Sequence, residues 1–204
     1  MSLQRAHELE LVGGRLCLDF VNTAAWHDTD CLYDHVTGPD DLVRWAHKAG
    51  LLTAERTAEL LRMQHRQPYQ NAGADALAGA LLLRATCRRL LLPGVAARQT
   101  DLATLERVLR ELGTDLRLAL AAGEPVHAGP NAPGAWLLLP IAISTIELLT
   151  SPDRLAIGSC AGERCGWLFL DRSRKRNRVW CSMQTCGNRA KAKAHYARQR
   201  RRAG

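Results

Sequence analysis

The sequence predicts a mainly α-helical protein that closes in a small cysteine-anchored module of β-hairpin plus helix. Three observations predict this: a helical period of apolar residues through much of 39–150, four cysteines in two short pairs near the C-terminal end, and a change of charge between the two regions. With 204 residues and 47% hydrophobic content, the chain has the size and composition of a globular domain carrying one small module. The opening MSLQRAHELELVGG is too charged for a secretory leader. The longest apolar run, Ala135 to Ile143, is far shorter than the roughly 20 residues of a membrane helix. A soluble, cytoplasmic protein is expected.

The elements follow in order. GGRLCLDFVNT, residues 13–23, carries alternating Leu16, Leu18 and Phe20 around an acid, Asp19, which is costly to bury without partners. Asp19, Asn22 and Thr23 read either as the lining of a ligand pocket or as caps that fix a turn. Pro39 and the acids after it start a helix, DDLVRWAHK, that Gly50 stops. Thr53 caps a second, AERTAELLRMQHRQ, and PYQNAG is expected to break the pattern. A third helix runs through DALAGALLLRATCRRLLL to Pro93, and a fourth from Thr100 places Leu102, Leu105, Val108, Leu109 and Leu112 on one face. DLRLAL alternates like a strand, so the N-terminal domain has room for a short strand pair. GEPVHAGPNAPG is expected to be a loop, and WLLLPIAISTIELL a buried helix holding Pro140. The predicted organisation is a helical domain over 1–150, a linker over 151–159 and the module over 160–204.

Cys17, Cys31 and Cys87 stand singly among apolar residues and read as free thiols in or near the core. The other four form Cys160-x4-Cys165 and Cys181-x4-Cys186, separated by fifteen residues. Paired pairs at this separation are the pattern of one structural zinc ion, because each short turn brings two thiolates to one side of a tetrahedral metal. Disulfides would suit a secreted protein, and redox catalysis uses C-x-x-C, so both fit less well. His195 reads as an ordinary helix residue. Between the pairs, Gly166–Asp171 and Arg178–Trp180 are expected as the two strands of the hairpin, and NRAKAKAHYARQRRR as a helix. Pair, hairpin, pair and helix resemble a treble clef or zinc ribbon. A module of this size lacks a sufficient core of its own, so metal must hold it.

Residues 151–204 hold fourteen Lys/Arg against three Asp/Glu, whereas residues 1–150 are mildly acidic. Arg172, Arg174, Lys175, Arg176 and Arg178 fall on the expected hairpin tip and return strand, and Arg189, Lys191, Lys193, Arg198, Arg200, Arg201 and Arg202 on the helix. Ala190, Ala194 and Ala197 form a small stripe expected to pack on the hairpin. Arginine exceeds lysine eleven to three here, which favours phosphate and base edges. Trp167 and Trp180 read as hairpin core or as base-stacking rings. Nucleic acid fits better than a membrane, since the helix has no large apolar face.

These residues resemble a known family. CGWLFLDRSRKRNRVWCSMQTCGNRAKAKAHYARQR is similar to the CGNR zinc finger, named for Cys186-Gly187-Asn188-Arg189, and GGRLCLDFVNT with DDLVRWAHKAGLL resembles the ABATE domain that precedes it. The resemblance implies a stress-induced bacterial transcription regulator, with Cys160, Cys165, Cys181 and Cys186 as zinc ligands and the finger reading DNA. It also brings the pocket reading of Asp19, Asn22 and Thr23 level with the capping one. It brings no catalytic motif, and no enzyme is expected. The partners expected are DNA more than RNA, a small-molecule effector for the N-terminal domain, and a second copy of the chain in a homodimer. The alternative is a small-molecule-binding protein or enzyme with its site near Asp19, tethered to RNA or ribosomes by the basic module.

Overall fold

The computed structural model describes residues 5–27, 30–63, 66, 69–113, 117–121, 124–128 and 134–203. The fold is mainly helical, with three two-stranded antiparallel sheets and a C-terminal four-cysteine hairpin module. After a 3-10 turn at Ala6–Glu8 come α1 (Leu16–Val21), β1 (Ala24–His27) and β2 (Asp30–Asp34), and then α2 (Pro39–Lys48), α3 (Ala54–Met63), α4 (Tyr69–Leu91) and α5 (Gln99–Gly113). The hairpin β3 (Arg117–Ala121) and β4 (Glu124–Ala128) leads to α6 (Ala135–Thr150). A 3-10 turn at Pro152–Ala156 precedes β5 (Ile157–Ser159), β6 (Leu168–Leu170), a π-helical turn at Met183–Gly187 and α7 (Asn188–Ala203). No helix among the described residues is long and apolar enough to cross a membrane.

The expected starts and stops appear where the local chemistry demands them. Pro39 is at the start of α2 and Gly50, just beyond its end, has φ +78°. The Thr53 hydroxyl accepts the Arg56 N–H at 3.2 Å, as a cap should. Leu105 and Val108 of α5 are buried and Leu102 and Leu109 pack beside them; the side chains of Leu112, Cys31 and Gln64 lie outside the described residues.

Two expectations change. Of the expected breaker PYQNAG, Tyr69 to Gly73 form the first turns of α4, and Pro68 lies outside the described residues. Gly73 costs about 1 kcal/mol in a helix interior, which the other residues of a long helix absorb. Further along, Gly79 faces α6, where an added Cβ would lie 3.3 Å from Leu138. Likewise, Glu124–Ala128 is strand and not loop: Val126 pairs with Ala119 and Pro125 with Leu120. Proline is tolerated because both strands of a two-stranded sheet are edges. Residues 129–133 of that expected loop lie outside the described residues.

The core packs α1, α2, α4, α5 and α6 around Phe20, Trp45, Leu83, Leu137 and Ile141, all nearly or fully buried. Cys17 and Cys87 are buried free thiols within it. The same cluster includes Ile157, Leu168 and Leu170, so the strands entering the module pack against the helical body.

The hairpin is present but differs from the one expected. β6 pairs antiparallel with β5, Ile157 opposite Leu170 and Ser159 opposite Leu168, so the stretch expected as a linker supplies a strand. The first cysteine pair lies on the connection between them. Residues 178–180 are not a strand, because other groups take their polar atoms. The Arg178 N–H donates to Asp171 Oδ2 at 2.8 Å, the Val179 carbonyl accepts from Ala161 at 3.0 Å, and the Trp180 carbonyl accepts from Arg178 Nε at 3.0 Å.

Candidate metal centre, body seam and nucleic-acid interface

The first cysteine turn is built on Cys160, whose N–H donates to the Trp167 carbonyl at 2.8 Å. Gly162 then donates its N–H to Cys160 Sγ at 3.4 Å, and the Cys165 N–H returns to the Gly162 carbonyl at 2.9 Å. A Cβ at residue 162 would lie 3.1 Å from Cys165 Cβ and 3.2 Å from Cys186 Sγ, so the turn closes tightly only around glycine. Cys181 and Cys186 flank and enter the π-helical turn. All four cysteines are buried, and their sulfurs lie within 4.8 Å of one another. Cys181 Sγ is 3.6 Å from both Cys165 Sγ and Cys186 Sγ. Sulfurs about 2.3 Å from a tetrahedral zinc would be about 3.8 Å apart, so the donor set fits one structural Zn2+. Crowding alone moves the thiols apart in acidity: neighbouring S–H groups hold Cys160 far below its ordinary range, and their interactions with Cys160 drive Cys165 and Cys181 upward. Four thiolates in this space require a shared cation.

The CGNR tetrapeptide divides its tasks. Cys186 is a ligand. A Cβ at Gly187 would lie 2.5 Å from Met183 Sδ and 3.2 Å from Trp180 Cδ1, so glycine admits the packed turn. Asn188 Nδ2 donates to the Gln184 carbonyl at 3.1 Å and closes the π-helical turn as α7 begins. Arg189, exposed on the first turn of α7, is left pointing at two concave surfaces.

Asn22 lies in the seam between body and module, Asp19 supports it through Gly13, and Thr23 bonds only within the body. Residues 167, 169 and 171 of the hairpin face β5, whereas the polar atoms of Leu168 and Leu170 face away from it. Asn22 Nδ2 donates to the Leu168 carbonyl and Asn22 Oδ1 accepts the Leu168 N–H, each at 2.8 Å. The Leu170 N–H donates to the Gly13 carbonyl at 2.9 Å, and the Gly13 N–H donates to Asp19 Oδ1 at 2.8 Å. Thr23 Oγ1 donates to the Phe20 carbonyl at 2.8 Å and accepts from Arg84 at 2.9 Å, while Arg84 also pairs with Asp34. Burial pushes the Asp19 carboxyl up to about 6, against the opposing pull of the Gly13 N–H.

Further residues cross the same seam without any mark in the motif. Arg88 donates to the Gly166 carbonyl at 2.8 Å, Trp167 Nε1 to the Ala24 carbonyl at 3.0 Å and Tyr33 Oη to the Arg164 carbonyl at 3.1 Å. Arginines within the apolar stretch LLLRATCRRLL of α4 were the sequence feature that could have exposed Arg84 and Arg88. Trp167 is thereby held in the seam. A cleft of about 200 Å3 opens here, bordered by Leu9, Tyr33, His35, Arg164 and Trp167.

The predicted nucleic-acid residues separate into two groups. Arg172, Arg174, Lys175 and Arg176 are exposed on the loop after β6, as are Arg189, Lys191, Lys193, Arg198 and Arg200 on α7. The side chains of Arg201 and Arg202 lie outside the described residues. Arg178 is a correction, since its guanidinium reaches inward. It donates to the carbonyls of Trp180, Leu170 at 3.3 Å, Val12 at 3.4 Å and Cys181, and lies 4.2 Å over the Phe169 ring. The alanine stripe is another: Ala190 is half-buried, but Ala194 and Ala197 are exposed, because α7 leaves the module at the π-helical turn and does not lie on the hairpin.

Fold and site together define a helical-body protein with a C-terminal four-cysteine zinc finger. A family model described as CGNR zinc finger matches residues 156–199. The chain belongs to the ABATE family, whose model, described as "Putative stress-induced transcription regulator", matches residues 14–152. Neither description names an enzymatic reaction. A comparison with curated proteins found no match.

Proposed function

We propose that this protein is a cytoplasmic, DNA-binding transcription regulator in which zinc sets the pose of α7 and the 1–150 body senses an effector and dimerises. The observation that carries the reading is α7 itself: its exposed charged side chains among the described residues are Arg189, Lys191, Lys193, Arg198 and Arg200, with no acid among them. A helix about 24 Å long and presenting cations suits the major groove of a duplex. The exposed arginines of the 172–177 loop add phosphate contacts. A single finger offers few base contacts, so a dimer reading two half-sites is expected. Asn22, with Asp19 acting through Gly13, serves this reading as the joint through which the state of the body reaches the finger, and Thr23 ties that joint to Arg84 of the body.

Selection in parallel from a random duplex-DNA library and a random RNA library with zinc-loaded protein tests it. The expected result is an enriched sequence bound far more tightly than random DNA at physiological salt. Enrichment of RNA alone, or of nothing, sinks the reading. Arg176→Ala and Arg189→Ala should weaken binding with zinc content unchanged.

A further inference from the structure

Between the first cysteine turn and α7 runs an open groove of about 420 Å3. Its walls are Ala161 and Gly162 on the turn and Ala190, Ala194 and Ala197 on α7, with Trp180 between them. Its rim carries Arg164 on the turn side and Arg189 and Lys193 on the helix side. Glu163 is also on the rim and is ion-paired with Lys193. Among the described residues, neither Arg164 nor Arg189 pairs its guanidinium with an acid.

We propose that this groove seats one sugar–phosphate strand of the duplex, with α7 inside the major groove and the first cysteine turn across the backbone outside it. This rests on the DNA-binding reading and adds its docking geometry. The alanines give smooth, shallow walls, against which a sugar edge lies flat. A protein helix would instead need pockets for large apolar anchors, which alanine walls do not provide. Charge points the same way. Arg164 and Arg189 are the rim cations without an acidic partner, and because four thiolates around a divalent zinc leave a net charge of about −2 behind Cys186, the phosphates are placed at these two arginines and only the sugar edge at the groove surface. Arg164 is on the opposite side of the groove from Arg189, and the two grip the strand from both sides. Arg164 thereby joins the interface, although it lies outside the basic runs of the sequence.

The test uses full-length, zinc-loaded protein and fluorescence anisotropy on a random-sequence duplex of about 30 base pairs, titrated across salt concentrations. Arg164→Ala should weaken binding and lower the salt slope by about 0.9, the loss of one phosphate contact. Ala194→Phe fills the groove without changing charge and should weaken binding about tenfold. Zinc content and helical circular dichroism should match the wild type. Arg164 is exposed, so its variant keeps the test sound if Ala194→Phe folds poorly. An Arg164→Ala protein with the wild-type slope, or a folded Ala194→Phe protein with wild-type affinity, overturns the proposal. So does poly-glutamate that competes as strongly as DNA of equal charge, which would make an acidic protein surface the occupant. A wild-type protein that shows no salt-dependent DNA binding is a separate result and removes the regulator reading itself.

Discussion

Asn22→Ala removes the one side chain that satisfies both polar atoms of Leu168. Leu168 is 0% exposed and Asn22 2%, so water cannot replace the lost amide without opening the seam. Each buried backbone group left without a partner costs about 1–3 kcal/mol, and here an N–H and a C=O are orphaned together. Taking values near the low end, because a small cavity allows some relaxation, gives a loss of about 3 kcal/mol. For a chain of this size, that lowers the melting temperature by roughly 6–12 °C. Urea unfolding at saturating zinc measures the loss directly, and hydrogen exchange at the Leu168 amide should accelerate in parallel. Asn22→Asp sharpens the test. The carboxylate keeps the size and the acceptor but puts a negative oxygen against the Leu168 carbonyl, so it should be at least as damaging at neutral pH. Losses below about 0.5 kcal/mol in both variants would refute the clamp.

Other perturbations act on neighbouring parts. Asp19 has a raised pKa in the fold, so the folded state binds its proton more tightly than the unfolded chain does. The resulting penalty is fully present above pH 6, fades as pH falls from 6 toward 4, and is on the order of 3 kcal/mol at most. Asn at this position keeps an acceptor for Gly13, so Asp19→Asn should stabilise the protein at pH 7.5 and not at pH 4; equal effects at both would remove burial as the cause. Arg178→Ala should cost about 2–4 kcal/mol in thermal unfolding, with the DNA salt slope unchanged, since its donors face carbonyls. A lowered slope would return Arg178 to the interface. Chelation removes a stabilisation of about 10 kcal/mol or more, so residues 160–204 should become protease-sensitive while fragments covering α4 to α6 persist. Equal protection of 160–204 with and without chelator contradicts this.

The zinc centre was legible because spacing in the chain is itself geometric: two four-residue gaps make two turns, and two turns make a tetrahedral face. The helices were legible for a similar reason, since α2 and α5 carry their faces and stop residues locally. The strand pairing was not. β5 and residues 178–180 are both short and comparably plausible partners for β6. The choice falls to atoms remote in sequence: Asn22 and Gly13 on one edge of β6, and Asp171 and Ala161 holding 178–180 away. Arg178 was misread for the same reason, because a cation in a basic run looks exposed until the carbonyls that converge on it are known. Asp19 stood out as a costly acid in an apolar stretch, with Asn22 just after it. Asn22 contacts the module 146 residues away, and Asp19 reaches it only through Gly13, which no local pattern states.

The amide of Asn22 does one more thing. Leu168, Phe169 and Leu170 form a short apolar strand whose outer side would offer free hydrogen-bonding groups to any passing chain. Asn22 and Gly13 stand in for the missing neighbour strand and close that template. A finger cut away from its helical body would bare it, and the separated piece would tend to add strands from other copies of itself. The helical body is thus also the finger's guard against aggregation.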